Sequence, residues 1–249
     1  MTSVCIVMPA WNESEGIGVF ISELNAALTP WRHSFVVVDD LSSDDTGEKA
    51  RAAGTEDSPV QVHRNHVNLG HGPSTIKALQ LGLESEADLV VALDGDGQFN
   101  GLDVARLVRG MEGGSEGVIE GVRTSRDDPV YRQVVSFATR ALVWTRAHEW
   151  PQDANTPLRV YRRETLGLLL PRLPENAMTP NLLISAITRR SGIRFAESRV
   201  SARHRLGDSQ VGTTWGKGRR LPSRRFIKFC AAATREWTST SFDLPDNFS

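Results

Sequence analysis

The first half of the chain alternates short apolar runs with amphipathic stretches, and few architectures accept that rhythm. Apolar runs at 4–8, 35–38, 60–62, 89–93 and 117–119 read as strands. The stretches between them, at 17–28, 44–53, 73–83 and 101–111, carry apolar residues at helical spacing. Strand, crossover helix and strand in succession predict a mostly parallel sheet covered by helices, an α/β fold. Beyond residue 121 the alternation weakens. Helices are expected at 130–148, 163–170 and 179–190, with a short strand near 194–200, so the second half is the more helical. There is no internal repeat. The simplest division is one domain over 1–215, a basic helical extension over 216–237 and a loose tail over 238–249.

At 249 residues the chain can bury a substantial core. Its net charge of −1 gives no global argument for a nucleic-acid partner, so any basic surface must be local. No stretch approaches the about 18 to 20 uninterrupted apolar residues of a membrane helix, and the N-terminus enters a strand without a basic start and apolar run. A cytoplasmic protein is the expectation. Cys5 and Cys230 are too few for a disulfide framework and lack metal-ligand spacing, so both are expected as buried or half-buried thiols.

In a wound parallel sheet, ligands sit beyond the carboxyl ends of the strands, so the residues that follow each strand carry the functional signal. Three of those segments are acidic: Pro9-Ala-Trp-Asn-Glu13, Asp39-Asp40 and Asp94-Gly-Asp-Gly-Gln98. Carboxylates converging on one edge call for positive charge, which a divalent cation with a nucleotide diphosphate supplies. Asp96 and Gln98 are the candidate direct ligands of Mg²⁺ or Mn²⁺, with Asp94 ligating or hydrogen-bonding, while Gly95 removes side-chain bulk. Alone, Asp-Gly-Asp-Gly would read equally well as a turn. Asp39, at its strand end, is the candidate for base or ribose contact, while Ser43 or Asp44 is the expected N-cap of the next helix. Asn68-Leu-Gly-His-Gly-Pro73 precedes a helix whose N-terminus suits an anion, with Pro73 in its first turn. By itself that loop is a weak signal, and His71 reads as a loop histidine. Arg123, Arg126, Arg132, Arg159, Arg203 and Arg205 fall in glycine- or proline-punctuated connections, where guanidinium forks suit phosphate.

Taken together, these segments resemble the family 2 glycosyltransferases of GT-A fold, and among them the polyprenyl-phosphate sugar transferases of the dolichol-phosphate mannose synthase kind. To the segments above the resemblance adds Val36-Val-Val-Asp-Asp40 with Ser42, Asp44 and Thr46, Gly121-Val-Arg123, Arg132 with Ser136, Asp153 to Arg159, and Arg203-His-Arg-Leu-Gly-Asp-Ser209. It implies that Pro9, Trp11, Glu13 and Asp39 line the nucleotide pocket, and that Asp94, Asp96 and Gln98 take the metal and donor diphosphate. On the acceptor side it implies Arg123, Arg132, Ser136 and Arg159, and it sets Arg205 and Ser209 on a loop closing over the donor. A UDP- or GDP-sugar, inversion at the anomeric carbon and a lipid-phosphate or small-molecule acceptor are the expectations that follow. Three departures stand out. Asn181 stands where the family often has a glutamate, Asp153-Ala-Asn-Thr-Pro-Leu-Arg159 stands for Asp-x-x-Ser-Gly-Phe-Arg, and transmembrane helices common in relatives are absent from this sequence.

A hydroxyl acceptor needs a base to take its proton, whereas a phosphate is already ionised near neutral pH. Asn181 in place of an acid therefore favours a phosphate acceptor, and Asp153 is the candidate base if the acceptor is a hydroxyl. The segment 217–228 has six positive residues and no acidic one. It reads either as an attachment to an anionic membrane surface or as a solvated basic helix packed on the domain. A non-catalytic nucleotide-sugar sensor would have less need of a complete metal site. A nucleotidyltransferase would open with a glycine-rich basic loop after its first strand, which Pro9-Ala-Trp-Asn-Glu13 is not.

Overall fold

A computed structural model describes residues 1–124, 130–207 and 233–242, and the backbone alone of 130–132. Seven strands form one sheet: β1 (Ser3–Ala10), β2 (Arg32–Asp39), β3 (Val60–Arg64), β4 (Leu89–Ala92), β5 (Val118–Arg123), β6 (Arg159–Arg162) and β7 (Phe195–Val200). Their order is β3-β2-β1-β4-β6-β5-β7, parallel except for β6, which runs antiparallel to both of its neighbours. The chain direction across the sheet reverses between β2-β1 and β1-β4, so the carboxyl ends of β1 and β4 open onto one crevice.

Side chains of successive strand residues point to opposite faces, and here both faces are covered. Val4, Ile6 and Met8 of β1 enter the core beneath α1 (Ile17–Ala27) and α4 (Gly101–Gly113). Cys5 and Val7 enter the other core, with α3 (His71–Glu84), α6 (Arg163–Leu169) and α7 (Pro180–Arg190). That double burial is why the strands read as continuous apolar runs. The helices α2 (Thr46–Ala52) and α5 (Val130–Ala147) complete the chain order. Helix α3 lies close against the sheet at Gly82, where a Cβ would stand 2.7 Å from Val7 Cγ1.

Three expectations are corrected. Strand β6 was not anticipated, because arginines at both ends hide a two-residue apolar centre, Val160-Tyr161. Helix α3 begins at His71, which puts Pro73 at its third position, where the missing N–H has no helical partner in any case. A short helix at 233–239 packs on the body of the protein, with Trp237 and Phe242 buried, so the tail expected from 238 is anchored as far as 242. Asp208, Ser209, Arg126 to Pro129 and the basic segment 217–228 lie outside the described residues, as do Cys230 and the side chain of Arg132. No helix among the described residues is long and apolar enough to cross a membrane.

Candidate functional site

Past the carboxyl end of β1 the chain turns sharply through Asn12, at φ 55°, and the turn is tied to the one after β2. Asn12 Oδ1 accepts from the Ser43 N–H at 2.8 Å, and the Asn12 N–H donates to Ser42 Oγ at 3.0 Å. The Glu13 N–H donates to Thr46 Oγ1 at 2.9 Å, which sets the Glu13 side chain against the crevice, 6% exposed. Asp44 accepts from the Thr46 and Ser14 N–H groups, while the N-cap position itself falls to Asp45. Pro9 is buried at the end of β1 and Trp11 is exposed beside it.

The two acids after β2 divide their work. Asp39 accepts from the Ser42 N–H at 2.8 Å, and its other oxygen lies 3.3 Å from Arg64. Asp40 is spent on architecture, accepting from the Leu69 and Gly70 N–H groups and from Asn65 Nδ2, and so holds the loop that leads to α3. Gly70, at φ 88°, makes that loop possible and places His71 at the helix start, 3.7 Å from Asp94 Oδ1.

The turn after β4 is gripped from two sides. The Gly95 N–H donates to the Pro9 carbonyl at 3.2 Å, and a Cβ on Gly95 would stand 3.1 Å from that oxygen. From the other side comes the strap at 202–207. Its Leu206 N–H donates to the Asp96 carbonyl, Arg203 donates to the Gly97 carbonyl and pairs with Glu23, and the Arg203 N–H donates to the Gln98 carbonyl. Gly97, at φ 70°, has Leu206 so close that a Cβ would meet it at 2.6 Å. This docking aims Arg205 inward, its Nε 3.1 Å from Asp96 Oδ2 and its Nη1 3.5 Å from Glu13 Oε1. Asp96 Oδ1 accepts from the Gln98 N–H at 3.1 Å, and Gln98 itself is half-buried.

Charge in the crevice is unbalanced. Burial, with Asp96, Asp94 and Asp44 nearby, pushes the Glu13 carboxyl up to about 7 despite Arg205. Burial and then Asp94 push Asp96 up to about 6. Glu13 Oε2 is buried without a hydrogen-bond partner. Surplus negative charge and an unsatisfied carboxylate oxygen fit a cation. Among the described residues no three His, Cys, Asp or Glu side chains gather closely enough to cage one. An ion here would take one or two carboxylates, with Asp94 and Asp96 the residues in reach, and complete its shell with phosphate and water, as Mg²⁺ does.

The expected acceptor residues do not all meet. Arg123, at the end of β5, donates to both Asp153 oxygens at 2.6 and 2.9 Å and to the Asn155 carbonyl at 3.2 Å. Ser136 is exposed on α5. Arg159 is turned away from the crevice: it is fully buried, with Nε on Glu120 at 2.9 Å, Nη1 on Asn181 Oδ1 at 3.0 Å and Nη2 on the Asn181 carbonyl at 3.0 Å. Glu120 pairs further with Arg189 at 2.7 Å, and Arg189 with Glu197 at 2.7 Å. The sequence reading missed this interior network, although Glu120 in the apolar strand Val118-Ile119-Glu120 was a signal for it. It also missed Arg64, the partner of Asp39.

An open parallel sheet with an acidic edge at its switch point, and an arginine strap folded across it, is the layout of GT-A glycosyltransferases. Solved structures agree on the fold. Glucosyl-3-phosphoglycerate synthase from Mycobacterium tuberculosis superposes with a TM-score of 0.66 at 21% identity, over 99% of this chain and 82% of that one. Mannosyl-3-phosphoglycerate synthase from Rubrobacter xylanophilus gives 0.62 at 17%, over 96% and 73%. The chain belongs to glycosyl transferase family 2, whose family model matches residues 5–168. Undecaprenyl-phosphate 4-deoxy-4-formamido-L-arabinose transferases from Yersinia enterocolitica and Pseudomonas fluorescens are 30% and 31% identical to it, over 67% and 72% of this chain. The chain spans about half the length of these curated relatives, 51% and 52%.

The charge imbalance sets a pH dependence. Unfolded, Glu13 releases its proton near 4.5, whereas folded it holds it to about 7. The folded state therefore binds more protons between those values, and stability falls as pH rises through that window. Glu13→Gln removes this component, so the stability of the variant relative to wild type is expected to grow from pH 5 to pH 7.5 in urea unfolding. A difference independent of pH would mean that Glu13 is not crowded by its neighbours.

Proposed function

We propose that the chain is an inverting, metal-dependent glycosyltransferase that moves a sugar from a nucleoside-diphosphate sugar to a polyprenyl phosphate or another phosphate-bearing acceptor. The observation that carries the reading is Asp96, buried at the switch point and held between Arg205 and the Gln98 N–H, with Asp94 and Glu13 adding charge around it. Pro9, Trp11, Glu13 and Asp39 face the nucleotide, with Arg64 beside Asp39 as a further donor. Asp94, Gly95, Asp96 and Gln98 face the metal and diphosphate, and Arg205 and Ser209 complete the residues assigned to the donor.

Transfer breaks the bond from the anomeric carbon to the diphosphate, so negative charge builds on the leaving oxygen while the sugar becomes oxocarbenium-like. Arg205, carried on a strap that closes over the crevice, meets that developing charge. A bound Mg²⁺ or Mn²⁺ would add Lewis-acid stabilisation of the same charge. The complexes of the M. tuberculosis synthase with Mn²⁺ and UDP-glucose support this choice of cofactor and of donor class.

The acceptor follows from what is missing. Asn181 cannot take a proton, and Asp153 is engaged by the Arg123 fork. A phosphate acceptor needs no base and is held by arginine, with Arg123, Arg132 and Ser136 the candidates. The curated relatives named as undecaprenyl-phosphate transferases support that acceptor class. A lipid-linked acceptor also gives 217–228 a role as a peripheral membrane contact from the cytoplasmic side.

Nucleoside-diphosphate release from UDP- and GDP-sugars is expected to stop with EDTA and return with Mn²⁺, and Asp96→Asn is expected to lower it about 100-fold or more. Full activity in EDTA would overturn the metal. Asp153→Asn separates the acceptor classes. Turnover within about tenfold of wild type is expected, whereas loss of a general base would cost about 100- to 10,000-fold. For membrane contact, the protein is expected to pellet with anionic liposomes at low salt and to stay in the supernatant with neutral ones.

A further inference from the structure

Helix α7 is capped from outside itself. Its N-cap residue, Thr179, is of a type whose hydroxyl usually accepts from the first helical N–H groups. Here that hydroxyl donates to Glu236 Oε2 at 2.6 Å instead, and the Thr179 N–H donates to the same oxygen at 3.1 Å. The Met178 N–H donates to Glu236 Oε1 at 2.6 Å, so both oxygens of one carboxylate are used. Negative charge there also suits the positive end of the helix. Glu236 comes from the short helix at 233–239, beyond residues 5–168 that the family model matches. Trp237 and Phe242, with ring centroids 4.8 Å apart, are buried in the same core as Ala177, Leu182 and Leu183.

The apolar and polar contacts of this segment do different things. Apolar burial is non-directional and holds 233–242 on the body whatever stands at 236. Three hydrogen bonds to one carboxylate, in contrast, fix where the backbone of 178–179 lies. That backbone rests on the start of α3. A Cβ on Gly72 would collide with the Ala177 carbonyl oxygen and stand 2.9 Å from Met178 Cα. The residue before Gly72 is His71, 3.7 Å from Asp94 Oδ1. At the other end of the same turn, Arg159 holds Asn181 by its side-chain oxygen and its carbonyl, each at 3.0 Å. Residues 177–181 are thus pinned by Glu236 and Arg159 and pressed against the helix that brings His71 to the acidic turn.

We propose that Glu236 is a positioning residue for the acidic turn. It seats 177–179 against the first turn of α3, and that turn keeps His71 beside Asp94. The segment 233–242 is then part of the working site and acts on it through 177–179. The inference rests on the glycosyl-transfer reading and extends it to a segment outside the family match.

The test compares wild type with Glu236→Ala in two ways. Hydrogen–deuterium exchange, measured on the protein alone, is expected to rise at 177–183 and at the α3 start, 71–77, and to stay at the wild-type level in α1. Nucleoside-diphosphate release from UDP- and GDP-sugars with Mn²⁺, measured well below both melting temperatures, is expected to fall about 10- to 100-fold. The melting temperature itself is expected to fall by only about 2 to 4 °C. Formate, a carboxylate small enough for the space vacated, is expected to recover release by Glu236→Ala, with chloride at equal ionic strength as the control. A variant that melts earlier but releases nucleotide at the wild-type rate would make Glu236 a cap for stability alone. Exchange that rises only at 177–183 would mean that nothing passes to α3, and a lost rate that formate leaves unchanged would trace the loss to packing. Each of these results overturns the proposal. If Glu236→Ala does not fold, Glu236→Gln, which keeps one acceptor oxygen, takes its place without the formate arm. Wild type that releases nucleotide from no donor sinks the underlying reading, whereas the exchange measurement still decides whether α3 feels Glu236.

Discussion

Helices cover both faces of the sheet, which leaves a charged side chain on it two places to go. It can sit at the end of a strand, where the crevice admits water and ligands, or it can stay inside as part of a neutralised set. Glu13, Asp39, Asp94 and Asp96 follow strand ends and gather at the switch point. Glu120, Arg159 and Arg189 stay inside and cancel one another, with Glu197 at their edge. The same constraint therefore produced both polar features of the molecule, one charged and open, the other neutral and closed.

They differ in what they leave unfinished. In the interior set each carboxylate has a guanidinium within 2.9 Å, so it asks for nothing more. At the strand ends, three carboxylates share Arg205 and a distant His71, and two of them are held well above the ordinary carboxylate range. That imbalance has a structural cost, because buried carboxylates give up water without gaining a full set of partners. The strap at 202–207 relieves part of it, and its docking depends on small residues at Gly16, Gly97 and Gly207, where side chains would collide with Leu206 or Glu15.

Much of the acidic edge was legible in the sequence because it follows a local rule. An acid just after an apolar strand in an alternating α/β pattern is placed at the ligand edge by connectivity alone, and Asp39, Asp94 and Asp96 obey that. What was not legible depends on pairing across the chain. Strand β6 is four residues long, and its first residue, Arg159, finds its partner in Glu120 across the sheet, 39 positions away in sequence. Read locally, an arginine near proline and aspartate suggests a phosphate contact; burial and register turn it inward. Asp40 is a similar case. It adjoins Asp39 and looks equivalent to it, yet strand alternation sends it to the 65–70 loop, whose N–H groups consume its lone pairs.

Arg123 and Asp153 obey a different balance from the acidic edge. Arg123 is fully engaged by Asp153 and Asn155, so an anion that takes its fork must displace a carboxylate already there at 2.6 Å. Phosphate can do so where a neutral hydroxyl cannot, since it brings equal or greater charge and the same paired acceptor geometry. Asp153 meanwhile holds the guanidinium in one orientation. At the strand ends the protein leaves negative charge unmatched, whereas here it supplies a matched pair. The neutral Asn181, held by Arg159 through its side-chain oxygen and its carbonyl, adds no charge to either balance.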